Sequence, residues 1–217
     1  MNELFIDIET IPAGERPLPE EVSVPGTYKD PVKITEYQKA NIETEFRKRS
    51  LITYKSEIIV ISFAFDNDPV TTLYEFSDPE GHLTEQDIVR NLYYYILGNE
   101  DLRKDMQASK IIGHNVMFDI KTIVQRCFKY GFHVPELAVL HQYHNRVADT
   151  MKMFTLGDRQ DYVSLDVVSK FLGIEQTKSM KGSEIYDEYL AGNITKIAEY
   201  CAGDVELTRK VYRKLTA

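Results

Sequence analysis

Positive charge is scarce in this chain of 217 residues, which has 26 lysine and arginine residues against 34 aspartate and glutamate residues. The formal net charge is −8, whereas proteins that grip a long stretch of nucleic acid neutralise many phosphates with Lys and Arg. The shortage therefore argues against an extended nucleic-acid-binding groove. It leaves room for a small footprint at a chain end, because divalent cations held by clustered carboxylates would offset part of the negative charge.

Long apolar runs are also missing from the sequence. No run reaches the roughly 18 apolar residues that a transmembrane helix needs, so we expect no membrane partner. The N-terminus opens with a predicted strand and lacks the basic and apolar regions of a signal peptide. These absences lead us to expect a cytoplasmic protein.

Cysteine is rare, and the two that occur, Cys127 and Cys201, lie on predicted apolar helix faces. Neither has a histidine at a zinc-like spacing, which argues against a structural zinc site. We prefer two free, buried thiols in a reducing compartment to a disulfide.

The length and a hydrophobic fraction of 43% indicate one globular domain, residues 1–217, with room for a sizeable core. Residues 15–31 are rich in proline and charge, and a mostly polar helix is predicted at about 34–49. We interpret about 15–50 as a surface excursion from this domain. A lid that guides a substrate is the alternative to a plain insertion.

Hydrophobic patterns predict an α/β fold. The segment 57–65 is rich in β-branched and aromatic residues, which indicates a central strand with both faces buried. With its neighbours it forms a predicted antiparallel meander. The predicted strands are 5–10, 57–65, 70–76, 110–115 and 146–151. The predicted helices outside the excursion are 87–97, 119–130, 164–172 and 194–215.

The first predicted strand carries two carboxylates, Asp7 and Glu9. Side chains alternate between the faces of a strand, so both project from the same side. Two like charges so placed repel each other unless a cation lies between them, and carboxylate oxygens suit hard divalent cations such as Mg²⁺. From this stretch alone, half of a metal site and an edge strand with a solvated polar face are both open.

More polar residues follow the two later strands. His114 and Asn115 lie at the end of one, and Asp119 falls in the first turn of the next helix, where the helix dipole alone favours an acidic residue. Asp149 ends the strand at 146–151. For Asp149 we favour a helix cap over a fifth acidic group near a site.

The last predicted helix carries Tyr200 and Asp204. They are four residues apart, so they stand one above the other on one helix face. A tyrosine–aspartate surface pair is the alternative, and the pair is weak by itself. The order of the acidic stretches along the chain strengthens the functional interpretation of this pair.

In this order the three stretches resemble the motifs of the DEDD superfamily of 3′–5′ exonucleases, in its tyrosine-bearing (DEDDy) branch. The motifs are FIDIET at 5–10, GHNVMFD at 113–119 and YCAGDV at 200–205. The resemblance spans nearly the whole chain. It is nearest to stand-alone predicted exonucleases similar to the proofreading domain of B-family DNA polymerases, and the loop KSMKGS at 178–183 also looks like that group.

The resemblance implies a ribonuclease-H-like fold, with a mixed sheet of about five strands, the first three antiparallel, and helices on both faces. It implies an enzyme that hydrolyses phosphodiester bonds at the 3′ end of single-stranded DNA and releases 5′-mononucleotides. Asp7, Glu9, Asp119 and Asp204 would bind two Mg²⁺ ions, for which Mn²⁺ would substitute, and Tyr200 would orient the attacking water. Two such ions can clamp both the attacking and the leaving oxygen.

The resemblance and the chemistry of the side chains also suggest which residues bind the substrate. The expected substrate-binding residues are Thr10, Ile11, His114, Asn115, Lys178 and Lys181. The backbone of Thr10 and the side chain of Ile11 would pack on the terminal nucleotide. Lys178 and Lys181 would contact phosphates upstream of the scissile bond, with a solvated surface loop as the alternative.

Two other functions stay open on the sequence alone. The chain could be a slow or inactive accessory module that binds nucleic-acid ends, although a retained acidic cluster is electrostatically costly for an idle site. It could also be a 3′–5′ exoribonuclease, because no RNA-binding module decides between the two nucleic acids. The process would be DNA repair or replication, and a polymerase or another replication protein is an open possibility as a partner.

Overall fold

A computed structural model describes residues 2–74, 77–78, 81–97, 109–134, 144–158, 162–175 and 180–217. The strands are β1 (Glu3–Pro12), β2 (Ser56–Phe65), β3 (Thr71–Tyr74), β4 (Ser77–Asp78), β5 (Gly81–His82), β6 (Lys110–Gly113) and β7 (Val147–Asp149). The helices are α1 (Pro31–Arg47), α2 (Glu85–Leu97), α3 (Met117–Tyr130), α4 (Thr150–Phe154), α5 (Leu165–Phe171), α6 (Ile185–Leu190) and α7 (Ile194–Thr216). None of these described helices is long and apolar enough to cross a membrane.

Five strands form one sheet in the order β3-β2-β1-β6-β7. β2 and β3 are antiparallel, whereas β6 runs parallel to both β1 and β7. At the start of β1 the Glu3 carbonyl accepts from the Asp66 amide, and just past its end the Ala13 amide donates to the Lys55 carbonyl, so β1 and β2 are antiparallel. The prediction of a mixed five-stranded sheet that begins with an antiparallel meander is confirmed.

Helices cover both faces of the sheet, and β1 packs on both because its side chains alternate. Its apolar side chains at positions 4, 6 and 8 join a core cluster with α2 and α3. Phe5 joins a second cluster with Val205 and Tyr212 of α7. Asp7 and Glu9 follow Phe5 in steps of two residues and therefore project toward the face that α7 covers. The predicted ribonuclease-H-like architecture is confirmed.

Local signals in the sequence fix where several helices begin and end. Thr84 precedes α2, and its hydroxyl accepts from the Asp87 amide, as expected of a cap. Gly131 ends α3 with a φ of 75°, a left-handed conformation that favours glycine. The helix predicted at 34–49 begins earlier, at Pro31, because Asp30 caps it and proline suits a first turn.

Glu85, the first residue of α2, is buried in a charged network. Its Oε1 accepts from the Ile58 amide at 2.8 Å and from Nε of Arg126, which is also buried. Its Oε2 accepts from Nζ of Lys129 at 3.0 Å and from the hydroxyl of Tyr130. The network joins β2 and α2 to α3 through a carboxylate whose charge is balanced by residues of the same chain.

The chain groups into two compact units. They are Met1–Glu9 with Ile58–Ala217, and Thr10–Glu57. The second unit contains α1, where Glu43 forms an ion pair of 2.8 Å with Arg16. The predicted excursion at about 15–50 falls within this unit, and a single domain over 1–217 stays a prediction.

Candidate active site

Strand β1 carries the two predicted carboxylates on the side that faces α7. Oxygen atoms of Asp7 and Glu9 lie within 4.8 Å of each other and of the Sγ atom of Cys201. Both acidic residues are half-buried. Like charges repel more strongly where water is partly excluded, so this pair favours a bound cation.

Helix α7 contributes Tyr200 and Asp204, one helical turn apart. The Tyr200 hydroxyl is hydrogen-bonded to the Asp204 carboxylate. Both residues line a cleft of about 720 Å³ together with Asp7. Burial raises the pKa of Tyr200 well above its usual range, and the charges of Asp204 and Glu9 raise it further. The phenol therefore stays protonated, and its hydroxyl can donate a hydrogen bond.

Asp119 lies in the first turn of α3 and is buried. Its Oδ1 accepts from the Ile8 amide at 3.2 Å, which fixes it against β1. Burial raises the pKa of Asp119 well above its usual range, and the charges of Asp7 and Asp149 add to the shift. A carboxyl group that is hard to ionise in the protein alone is one that a nearby cation would help to ionise.

Gly113 lets β6 turn into α3 close to β1. A Cβ atom at this position would lie 2.6 Å from Cγ2 of Val116 and 3.0 Å from the carbonyl oxygen of Ile6. These separations are too short for a side chain, so glycine is required where the strand meets its neighbour. The geometry keeps the start of α3, with Asp119, beside the carboxylates of β1.

Asp149 caps a helix, as we favoured from the sequence. Its Oδ1 accepts from the Met151 amide at 3.2 Å and from the Asn115 amide at 2.9 Å. The same carboxylate also raises the pKa of Asp119. The two interpretations are therefore compatible, because Asp149 holds the loop after β6 and contributes negative charge beside Asp119.

Cys201 is the residue of this cluster that the sequence analysis did not assign to it. The prediction of two free, buried cysteines is confirmed, but Cys201 donates from Sγ to Oδ2 of Asp7 at 3.4 Å. Burial raises the pKa of its thiol, and the charges of Asp7 and Glu9 raise it further. A signal was available, because Cys201 precedes Asp204 by three residues and so lies on a nearby part of the helix surface.

The donor set fits divalent cations. Four carboxylates, those of Asp7, Glu9, Asp119 and Asp204, come from three separate elements, and oxygen donors are what Mg²⁺ and Mn²⁺ prefer. Asp119 is buried against the charge of Asp7, and a bound cation would relieve that repulsion. The chemistry of these residues thus agrees with the predicted metal ligands, which stay a prediction.

His114 and Asn115, both predicted to bind substrate, are held in place by the protein. His114 lines the cleft. Its Nε2 donates to the Val163 carbonyl at 2.7 Å, and its Nδ1 is 3.0 Å from the Thr150 hydroxyl. Asn115 has a φ of 60°, and its backbone amide donates to Oδ1 of Asp149. These contacts give both residues a structural role at the rim, and substrate binding by them stays a prediction.

The cleft has its own cations and an exposed aromatic ring. Lys181 lines it, whereas Lys178 lies outside the described residues. Lys170 of α5 also lines it and pairs with Asp166 at 2.8 Å. Tyr162, on the same cleft, is 71% exposed. Lys170 and Tyr162 were not predicted from the sequence, because tertiary packing sets which side of α5, and which part of the segment before it, faces the cleft.

Thr10 and Ile11, the remaining predicted substrate contacts, belong to the second compact unit. The Thr10 hydroxyl donates to the Ser50 carbonyl at 2.8 Å. The side chain of Ile11 is buried. Contact of either residue with a terminal nucleotide stays a prediction.

Comparison with known proteins gives a match to one family. A sequence model of the family described as "Predicted 3'-5' exonuclease related to the exonuclease domain of PolB" matches residues 49–217. This segment includes Asp119, Tyr200 and Asp204, whereas Asp7 and Glu9 precede it. No curated protein matches the chain. The resemblance that the three motifs indicated is confirmed, and the chain belongs to this family of predicted 3′–5′ exonucleases related to the exonuclease domain of PolB.

Proposed function

We propose that this protein is a divalent-metal-dependent 3′–5′ exonuclease that acts on single-stranded DNA and releases 5′-mononucleotides. One observation carries the proposal: Asp7 of β1 lines one cleft with Tyr200 and Asp204 of α7. Glu9 and Asp119 are close enough to Asp7 for their oxygen atoms or charges to interact with it. Family membership supports the coarser statement, a nuclease with a nucleic-acid substrate that uses divalent metal.

The four carboxylates are the groups that would hold the metal. Asp7, Glu9, Asp119 and Asp204 would bind two Mg²⁺ ions, and we expect Mn²⁺ to substitute. When bound, the ions supply an activated water and stabilise the charge on the leaving 3′ oxygen. The residues of the chain then have to position the substrate and the water.

The proposal also assigns a role to Tyr200. Because its pKa is raised, the phenol is protonated at neutral pH and is a poor proton acceptor. Its hydrogen bond to Asp204 fixes the direction of the hydroxyl. Because this bond uses the one phenolic proton, we assign Tyr200 to orienting the attacking water through its oxygen lone pairs, and not to acting as a general base.

The size and lining of the cleft favour the end of a single strand. A volume of about 720 Å³ is in the range of sites that bind small organic ligands, which suits a terminal nucleotide and not the side of a duplex. Lys181 can contact a phosphate, and the exposed ring of Tyr162 can stack on a base. Few such contacts agree with the net charge of −8.

A time course on end-labelled strands tests the proposal. With Mg²⁺ or Mn²⁺, a 3′-labelled single strand should lose its label at once as a mononucleotide, while the same strand labelled at its 5′ end should shorten through a ladder. Chelation of the metal should stop both. A matched RNA strand that is degraded faster would make the protein an exoribonuclease, and no release from either strand would favour an accessory end-binding module.

A further inference from the structure

Behind the Asp7 carboxylate lies a line of three polar side chains from three elements. Ser62 of β2 stands opposite Thr72 of β3 in the register of the sheet, and their hydroxyl oxygens are 3.0 Å apart. The Ser62 hydroxyl is hydrogen-bonded to the Sγ atom of Cys201. Cys201 in turn donates to Oδ2 of Asp7 at 3.4 Å and lies 3.5 Å from the Asp7 carbonyl.

The end point of this line fixes the direction of every hydrogen bond in it. Cys201 Sγ donates to both the carbonyl oxygen and Oδ2 of Asp7, so its thiol proton points toward Asp7. Sγ can then only accept from Ser62, and the Ser62 oxygen can then only accept from Thr72. The three protons therefore all point toward Asp7, and hydrogen bonds in such a series strengthen one another.

Ser62 and Cys201 are completely buried. Polar groups in such a place cost free energy unless each has a partner, so apolar side chains would be the simpler choice for packing alone. A role for the series at its exposed end would account for the burial of these polar groups. That end is a carboxylate on the wall of the cleft.

We propose that Cys201, backed by Ser62 and Thr72, is a positioning residue that holds the Asp7 carboxylate in the orientation that binds the divalent cation. This inference rests on the proposed function, since it takes Asp7 as a metal ligand. Partners that hydrogen-bond to a ligand fix its direction and tune its affinity, although they do not touch the ion themselves.

The central experiment is a titration of the protein with Mn²⁺, in which electron paramagnetic resonance measures the free ion. Cys201→Ala should raise the apparent Kd by about tenfold, near the low end for partners of metal ligands because a thiol is a weak donor. Cys201→Ser keeps a donor and should return the Kd to within about threefold of the native value. Cys127→Ala, the matched control, removes the other buried thiol and should leave the Kd unchanged.

The more distant members of the series provide a graded test. Ser62→Ala removes the donor to Cys201 and should raise the Kd by about threefold, and Thr72→Val should have a still smaller effect. A decline in this order along the series is expected. An effect of Thr72→Val as large as that of Cys201→Ala, with unchanged thermal unfolding of the metal-free proteins, would overturn the series.

A second measurement needs no substitution at Cys201. The infrared S–H stretching band of the protein should shift when Mg²⁺ is added, because a cation on Asp7 withdraws electron density from the oxygen that accepts the thiol proton. The Cys127→Ala variant assigns the band to Cys201. A band that stays in place while the metal binds would overturn the proposal even if the Cys201 variants did not fold.

The outcomes separate this inference from the proposed function. If Asp7→Ala and the native protein bind Mn²⁺ equally, Asp7 is not a ligand, and the proposed metal site fails with the inference. If binding depends on Asp7 but Cys201→Ala binds as tightly as the native protein, the metal site stands and the positioning role of Cys201 is wrong.

Discussion

Glu85 and Asp119 are both buried carboxylates in the first turn of a helix, but their surroundings differ in charge. Burial alone raises the pKa of Glu85, yet hydrogen bonds from Tyr130, the Ile58 amide and Arg126, with the charge of Arg126, outweigh it and lower that pKa. Burial raises the pKa of Asp119, and there the neighbouring charges of Asp7 and Asp149 push in the same direction.

The difference distinguishes two uses of a buried carboxylate. Around Glu85 the chain itself supplies the positive charge, so the group is ionised and serves the fold. Around Asp119 the neighbouring charges of Asp7 and Asp149 disfavour the ionised form, and a bound cation would stabilise that form. A carboxylate placed among other carboxylates is thus a better guide to function than a buried ion pair.

The largest expected effect concerns the carboxylates that surround Asp119. The double variant Asp7→Ala, Asp204→Ala should lower the rate of mononucleotide release by at least about 10³-fold, because ligand loss removes several kcal/mol of transition-state stabilisation. Circular dichroism should show the native fold. Release at the native rate would show that these carboxylates are not part of the site.

Glu85→Gln tests whether the ionised Glu85 stabilises the fold. It leaves Arg126 buried without its counter-charge and should lower the free energy of unfolding by about 3 kcal/mol or more, measured with urea. Asp119→Asn is the matched control, because it makes the same change of a carboxyl group to a carboxamide. In metal-free protein it should leave stability unchanged or raise it. Equal destabilisation by both substitutions would remove the distinction.

Tyr200→Phe should have the next largest effect. The ring and its packing stay, but the hydroxyl that is hydrogen-bonded to Asp204 is lost, so the rate should fall by about 10²-fold. Mn²⁺ affinity should stay close to native, because the phenol is not a ligand in this proposal. A parallel loss of affinity and rate would place Tyr200 in the support of the metal site instead.

The pH dependence of stability sharpens the comparison further. The pKa of Glu85 is lowered from 4.5 in the folded protein, so its ionised form stabilises the fold above that pH. The contribution is lost as the pH falls through the lowered folded value. Unfolding in urea at a series of pH values should therefore show the gap between native protein and Glu85→Gln narrowing on the acid side. A constant gap would mean that the charge of Glu85 does not matter.

The smallest effect is expected at Lys181, which lines the cleft and would contact a phosphate of the substrate. Lys181→Ala should raise KM for single strands by about threefold, equally for all base sequences, because phosphate contacts carry no sequence information. Hydrolysis of a small chromogenic phosphodiester should hardly change. Equal damage to both substrates would assign Lys181 to the support of the metal site.

The sequence predicted those parts of the fold whose signals are local. The period of apolar residues in α7 placed its start at the observed residue and its end one residue short, and Gly131 marked the end of α3. The start of α1 was placed too late, although Asp30 and Pro31 carry the signal for it. The alternation of side chains along β1 predicted that Asp7 and Glu9 project from the same side, and their oxygen atoms lie within 4.8 Å of each other.

What the sequence could not predict depends on contacts between distant elements. The charged partners of Glu85 come from α3, and no periodicity within α2 indicates which charges lie opposite it. Cys201 was assigned to an apolar helix face because a thiol in a helix usually packs as a small hydrophobic group. Its contact with Asp7 follows only when α7 is laid on the sheet.

The contact between Cys201 and Asp7 also has a consequence for how the molecule is made. It joins positions 194 residues apart, and closing so long a loop costs entropy before any contact forms. Chains emerge from the ribosome N-terminus first, so β1 is synthesised long before α7 can complete the acidic centre. Under the proposed function, a growing or prematurely terminated polypeptide that lacks α7 would therefore have no exonuclease activity.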